Sequence, residues 1–409
     1  MLRLRFMMLL VLGVFLITAS AIYLLNGRKL KDNKKYVLFW SFIGIIGLLS
    51  VYFPAKEYIG FKYLAKSLDE AGTTVIIDGE KVETIANAQQ PLILPTAYQT
   101  IEVTHPSVVN FPKDWSGYKY WMAVTPYPEG DAGKENPHIF ASHDMIAWDV
   151  PFGDEGMNPL DDIKNSPLNE SNSPLKYNSD THLLFNKEKN RLEMFWRYVD
   201  DVEKMVYIYQ MNSEDGREWS DKELVYTCNR GKGEDWLSPA FTKDENGYQV
   251  WYVGYDYLIH HRTSKDGKNW SKADTVDVPY EKENMHSWHL DVQEIDGHQE
   301  MLVVGFEKEP GEKVSWSDRH QMNLYYASNQ EGKWSQLKPI IYPSQVHAKW
   351  DGKGLYRSCM IKEDGNYYVF YSGIGDTDTR AIGLSYGSDI FNLKGISYYD
   401  YADFASKKQ

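Results

Sequence analysis

The sequence predicts an all-β fold, a five-bladed β-propeller of four-stranded antiparallel blades, preceded by an N-terminal two-helix transmembrane segment. Three observations carry the propeller. A serine is followed six positions later by an aromatic residue five times: Ser142…Trp148, Ser213…Trp219, Ser264…Trp270, Ser328…Trp334 and Ser385…Phe391. Upstream of each copy lies an apolar or aromatic strand, at Tyr118–Thr125, Leu192–Val199, Tyr248–Tyr255, Gln299–Phe306 and Tyr367–Gly373. Ahead of each of those is a further short strand, at Ser107–Phe111, Thr181–Phe185, Pro239–Thr242, Leu290–Glu294 and Ser358–Lys362.

Each copy thus reads strand, turn, strand, loop, strand, turn, strand. In two copies the last turn is nearly the same, Ser213-Glu-Asp215-Gly216-Arg-Glu-Trp219 and Ser264-Lys-Asp266-Gly267-Lys-Asn-Trp270. Asp-Gly supplies the positive-φ position of a hairpin, and the Trp anchors the strand that follows. Period-2 strands alone would also suit a sandwich, but repetition at this spacing is the signature of a blade array, and a ring of blades hides its sheet edges.

Charge and hydropathy divide the chain. Residues 1–53 carry seven Lys/Arg against one Asp, so with a net charge of -13 overall the remainder carries -19, which excludes a nucleic-acid footprint. Apolar runs at about 6–25 and 37–53 flank the basic stretch Asn26–Tyr36. The positive-inside rule places that loop in the cytoplasm and the rest of the chain outside, so residues 1–53 are expected to be a transmembrane hairpin in the cell membrane, with the propeller extracytoplasmic. The rival reading is a cleaved signal peptide with Arg3 and Arg5 as its basic end and Ala19-Ser20-Ala21 at its cleavage site; it too leaves the large domain outside. Residues 54–100 read as a connector, with a short helix over Ala55–Ala71 and a hairpin in Thr73–Glu83 around Asp78-Gly79. The propeller occupies 101–400, and 401–409 is a tail. Cys228 and Cys359 are too few for a disulfide framework and lack metal-ligand spacing.

Antiparallel order puts the starts of the innermost strands and the loops between second and third strands on one face. Aligning the copies collects His105, Asp180, His182, Trp288, His289, Asp291, Tyr356 and Arg357 from strand starts, and Glu135, Arg197, Tyr255 and Arg380 from the loop ends. Acids, imidazoles and guanidiniums therefore converge from separate blades, where unremarkable strand starts would be small or turn-forming residues.

From His105 to about Phe391 the chain resembles the five-bladed glycosidases, the superfamily of glycoside hydrolase family 43 and its fructan-active relatives. The residues that carry the likeness are His105-Pro-Ser-Val-Val, Gly117-Tyr-Lys-Tyr-Trp-Met, Thr125-Pro-Tyr-Pro, Glu135-Asn-Pro, Ser142-x-Asp144, Asn158-Pro-Leu, Ser179-Asp180, Trp288-His289-x-Asp291 and Tyr356-Arg357-Ser358. The resemblance implies carboxylate acid/base catalysis on a glycosidic bond. It also implies an Asp, an Asp and a Glu on the first three inner strands. Only the second is kept, as Asp180; His105-Pro106 and Leu237-Ser238-Pro239 stand at the other two places. Asp180, Asp291 and Glu135 are accordingly the expected acid set, with His105, His182, Arg197, Tyr255, Trp288, His289 and Arg357 binding sugar. The expected function is a membrane-anchored glycoside hydrolase-like protein acting on a cell-surface polysaccharide or exopolysaccharide. The alternative, drawn from the missing acids, is a non-catalytic carbohydrate-binding propeller accessory to polysaccharide synthesis or export. No cofactor is required for either, although a propeller channel could hold a central calcium ion.

Overall fold

A computed structural model describes residues 14, 16–21, 39–48, 51, 73–77, 80–166, 169, 173–232, 234–315, 317–347 and 349–397. The chain divides into two compact units, Met1–Glu70 and Ala71–Gln409. In the first, residues 16–21 and 39–48 are helical. They approach closely: the Ser20 hydroxyl donates to the Trp40 carbonyl at 2.5 Å, and a Cβ on Gly44 would stand 2.9 Å from that hydroxyl oxygen. Among the described residues no helix is long and apolar enough to cross a membrane. The described helical stretches fall inside both predicted spans but are far shorter than the roughly 20 residues a bilayer core requires. The rest of both spans, the predicted helix over Ala55–Ala71, the Asp78-Gly79 turn and the tail 401–409 lie outside the described residues.

The second unit is the propeller. Blade one is built from Val103–Trp115, Tyr118–Pro126 and His138–Ser142, and blade two from Lys176–Asn186, Arg191–Asp200, Met205–Ser213 and Glu223–Asn229. Blade three has Leu237–Asp244, Gly247–Val253, Ile259–Ser264 and Asp274–Thr275. Blade four has Met285–Ile295, His298–Glu307 and Asn323–Gln330, the last paired with both Lys333–Trp334 and Lys338–Ile341. Blade five has Gly354–Glu363, Asn366–Ile374, Arg380–Gly387 and Lys394–Gly395. All pairings within the blades are antiparallel, and each innermost strand neighbours the innermost strands of the adjoining blades, the fifth meeting the first.

The expectation of four strands per blade holds for three blades. In blade one the fourth strand shrinks to a single bridge between Ala141 and Asp149, because Pro151 follows two residues later and has no N–H for the next rung. In blade four the outer strand is split after Trp334.

The repeated serine turn is also narrower than its pattern. In blades one, two and three the serine hydroxyl accepts a backbone N–H three residues on, and the following Asp carboxylate accepts two more, as at Ser213/Asp215 (Gly216 N–H 2.8 Å, Arg217 and Glu218 N–H both 2.9 Å). Ser328 and Ser385 do not form it. Ser385 instead donates to the Ala86 carbonyl, where residues 85–92 run along the outer part of blade five: Leu92 N–H to Ile382 O is 2.7 Å and Gly395 N–H to Ile85 O is 2.7 Å. The hairpin of Thr73–Ile77 and Glu80–Thr84 precedes this strap.

Between blades the core is aromatic. Trp236 is stacked between Tyr226 and Tyr252 at 4.5 and 5.0 Å, and Trp121 packs with Trp115 and Tyr118. Buried carboxylates latch neighbours, Glu193 taking the Tyr248 hydroxyl at 2.9 Å and Glu300 the Tyr367 hydroxyl at 3.0 Å. Cys228 and Cys359 are free and buried.

Gly216 joins the turn to this core. Its φ is +74°, and a Cβ would fall 2.2 Å from the Trp121 ring of blade one. Gly216→Ala is expected to destabilise the propeller by about 1–3 kcal/mol through overpacking and backbone strain. Urea denaturation with an unchanged m-value checks this, and a loss below about 0.5 kcal/mol would contradict it.

Candidate active site

The site is made by an irregularity shared by all five innermost strands. Each holds one residue more than its partner at the same level of the channel: between Thr104 and Ser107, Ser179 and His182, Leu237 and Ala240, Ser287 and His289, and Tyr356 and Ser358. Such bulges re-aim side chains that a regular pleat would send to alternate faces. In the first three blades the bulge places a non-glycine residue at positive φ, His105 at 56°, Asp180 at 51° and Ser238 at 53°. This is backbone that L-residues adopt only when packing over-determines it.

Around Asp180 three blades meet. Its Oδ1 lies 3.0 Å from His105 Nε2 and 3.5 Å from His289 Nδ1, and its Oδ2 accepts from Arg197 Nη1 at 2.6 Å. All four side chains are buried. Thr125 Oγ1, on the strand paired with that of His105, is 2.6 Å from His105 Nδ1. Glu135 Oε2 stands 3.7 Å from the same nitrogen. The Tyr356 ring covers His289 at 4.2 Å and His105 at 5.4 Å.

Burial holds the imidazoles neutral. It drives His105 down to about 3 against the pull of Asp180, with Arg357, Arg380 and Arg197 adding to the fall, and it takes His289 well below 6.5. Burial works the other way on the acids. It raises Glu135 well above the usual carboxyl range, with the Asp180 charge adding to the rise. On Asp180 burial is outweighed by the Arg197 guanidinium bound to Oδ2 and by the nearby Arg357 charge, which hold that carboxyl ionised. Two carboxyl groups of one site are thus displaced in opposite directions, which is how acid and base roles become separated.

The donor atoms of His105, Asp180 and His289 all lie within 4.8 Å of one another. His105 Nε2, Asp180 Oδ1 and both nitrogens of His289 have no hydrogen-bond partner, although Nε2 and Oδ1 are only 3.0 Å apart. In the tautomer whose Nδ1–H donates to Thr125, His105 Nε2 and Asp180 Oδ1 are two acceptors facing each other in a buried pocket, a repulsive arrangement that a cation between them would relieve. Two neutral imidazoles and one carboxylate suit Zn²⁺ or a similar first-row divalent ion with a coordination place left open. They suit less well the calcium ion that a propeller channel could hold, which takes oxygen ligands. The Thr125 contact is the outer-shell bond that would fix the imidazole tautomer.

Of the residues expected from sequence, Asp180, Glu135, His105, His289 and Arg197 are brought together. Asp291 and His182 lie two residues beyond His289 and Asp180 on the same strands and, with Arg357 of blade five, form a second cluster. There His182 Nδ1 is 3.6 Å from Asp291 Oδ1 and 3.3 Å from Arg357 Nη2, and Gln293 donates to Asp291 Oδ2 at 3.0 Å. Burial raises Asp291 to about 6. Trp288 touches His289 at 5.7 Å, but Arg319 covers its ring at 4.5 Å. Tyr255 is exposed and makes none of these contacts. Blade three sends no acid: Ser238 donates to the Leu290 carbonyl at 3.0 Å, Glu234 pairs with Arg262, and Asp235 offers its carbonyl to Arg197. Sequence reasoning passed over Thr125, whose signal is only its place opposite His105, and gave Tyr356 no role although strand alignment had found it.

Three buried imidazoles set an acid sensitivity. His105 and His182 titrate near 3 and His289 well below 6.5, whereas in the unfolded chain each takes a proton near 6.5. Below pH 6.5 these three sites bind more protons in the unfolded state; the raised carboxyls of Asp291 and Glu135 oppose this but are two against three, so stability falls as pH is lowered from about 6.5 toward about 3. The urea midpoint is expected to drop steadily across that window and to drop less in His182→Gln. A flat midpoint from pH 6.5 to 4 would contradict this.

No family model matches the chain. An "A type blood N-acetyl-alpha-D-galactosamine deacetylase" from Flavonifractor plautii is 24% identical over 347 residues, covering 72% of this chain and 43% of that protein, so the chain spans less than half the relative's length. The crystal structure of an N-acetylgalactosamine deacetylase from F. plautii in complex with blood group B trisaccharide superposes with a TM-score of 0.59 at 21% identity, over 80% of this chain and 96% of that one. A thermostable family-43 glycoside hydrolase gives a TM-score of 0.50 at 12% identity, over 72% and 92% of the two chains. At these identities the likeness is one of fold: the chain shares the β-propeller architecture of these structures, here with five blades.

Proposed function

We propose that this protein is a metal-dependent carbohydrate amidohydrolase, which removes the N-acetyl group from an amino sugar within a glycan. Water cleaves the amide C–N bond, acetate leaves, and the sugar keeps a free amine. The observation that carries this reading is the buried His105–Asp180–His289 set, whose facing nitrogen and oxygen atoms are left without hydrogen bonds. The name of the F. plautii relative is consistent with it. A divalent ion held there would polarise the amide carbonyl and lower the pKa of water.

The chain's own residues supply the rest. Arg197 fixes Asp180 Oδ2, which leaves Oδ1 directed at both imidazoles. Thr125 orients His105. Glu135, kept protonated by burial, gives its proton to the amine nitrogen as the C–N bond breaks. Tyr356 walls the imidazoles from water. We further place the propeller outside the cytoplasm, held at the membrane by residues 1–53, with a cell-surface glycan or exopolysaccharide as substrate. The charge distribution along the sequence supports that placement.

Chelation of the purified protein is expected to abolish acetate release from N-acetylhexosamine oligosaccharides, and Zn²⁺ to restore it. His105→Ala and His289→Ala should each bring metal content well below one equivalent by elemental analysis. Glu135→Gln should retain metal and lose about 10²–10⁴-fold in kcat. A second reading, hydrolysis of a glycosidic bond, is favoured by the opposite displacement of Asp180 and Glu135. New reducing ends released in the presence of chelator, without acetate, would decide for it.

A further inference from the structure

The domain after residue 53 carries a large negative net charge, yet the mouth of its channel is cationic. Arg380 begins the third strand of blade five and is 3% exposed. Its guanidinium lies over the Tyr127 ring at 4.4 Å and the Tyr356 ring at 5.4 Å. Its Nη1 donates to the Asp378 carbonyl at 2.8 Å and its Nη2 meets His320 Nε2 at 3.3 Å, but its Nε–H has no partner. Arg319, beside His320, covers the Trp288 ring at 4.5 Å, and its buried Nε is likewise unpartnered.

Neither guanidinium forms an ion pair with a carboxylate among the described residues. Asp378 pairs with Lys353, and Glu102 accepts the backbone N–H groups of Glu129, at 3.1 Å, and of Arg380, so neither carboxylate is bound to the Arg380 guanidinium. Each arginine reaches the His105–Asp180–His289 set through a single ring. Tyr356 stacks on His289 at 4.2 Å, and Trp288 touches it at 5.7 Å. Around the channel four guanidiniums, of Arg197, Arg357, Arg319 and Arg380, thus face the carboxyl groups of Asp180, Asp291 and Glu135. Burying an unpaired guanidinium is costly, and a planar fork with a free N–H is suited to a carboxylate.

We propose that Arg380 and Arg319 form a carboxylate-recognition site at the channel mouth, so that the substrate is an acidic glycan with a uronate beside the amino sugar. This rests on the preceding reading for the amino sugar but not for the uronate. The test is binding, measured by calorimetry on the full chain. The probes are a disaccharide of glucuronic acid and N-acetylglucosamine and its counterpart with glucose in place of the uronate. The uronate probe should bind at least 10-fold more tightly, with an advantage that shrinks as salt rises. Arg380→Gln should weaken it by about 10–100-fold, while Arg380→Lys restores only part. If Arg380→Gln does not fold, Arg319→Gln carries the same comparison from a partly exposed position. Equal affinity of the native protein for the two probes, or equal loss of both in the variants, overturns the proposal. Uronate preference without acetate release would sink only the amidohydrolase reading. Acetate release without uronate preference would sink only this one.

Discussion

One extra residue in each innermost strand is the constraint on which the rest of the site depends. A regular strand would send neighbouring side chains alternately into the channel and into the wall between blades. The bulges at His105, Asp180, Ser238, Trp288 and Arg357 break that alternation at one level of the ring. Polar groups from four blades can therefore crowd the axis while apolar neighbours such as Leu183, Ala240 and Leu290 keep the blades packed. Positive φ at His105, Asp180 and Ser238 is held in place by the antiparallel pairs that resume on either side of each bulge.

Burial then sorts the protonation states. A single low-dielectric pocket neutralises His105 and His289 by penalising their cations and keeps Glu135 protonated by penalising its anion. Only Asp180 escapes, because Arg197 is bound directly to one of its oxygens. The outcome is a pair of neutral nitrogen donors, one fixed anion and one protonated acid within a few ångströms. A metal-assisted hydrolase would use these four elements, and the pocket holds them without solvent exposure.

The cationic mouth and the metal-ligating set are connected by aromatic rings rather than by hydrogen bonds. Tyr356 lies between Arg380 and the two imidazoles, and Trp288 between Arg319 and His289. The rings exclude water from both sides and hold the guanidiniums where a carboxylate beside the amino sugar would lie. Trp288, read from sequence as a sugar-stacking platform, has its ring covered by Arg319 and so presents charge to the mouth.

The sequence alone determined the architecture. Five copies of a strand pattern are local features, set by period-2 hydrophobicity and, in two copies, by Asp-Gly turns, and they can be read without knowing any contact. The same copies, aligned, collected His105, Asp180, His289 and Glu135 within a longer set that also held Asp291, His182, Arg197, Arg357, Trp288 and Tyr255. What only the tertiary structure decided is how those residues combine. Asp180 and Asp291 occupy equivalent-looking strand starts, yet they belong to different levels of the channel, because a bulge of one residue shifts the inward face and leaves no mark in composition. The His–Asp–His set joins strands 75 to 184 residues apart in sequence, so no spacing rule could have revealed it. Likewise Ser385 carries the repeat pattern but serves the strap at Ala86, a partner about 300 residues away that only ring closure brings within reach.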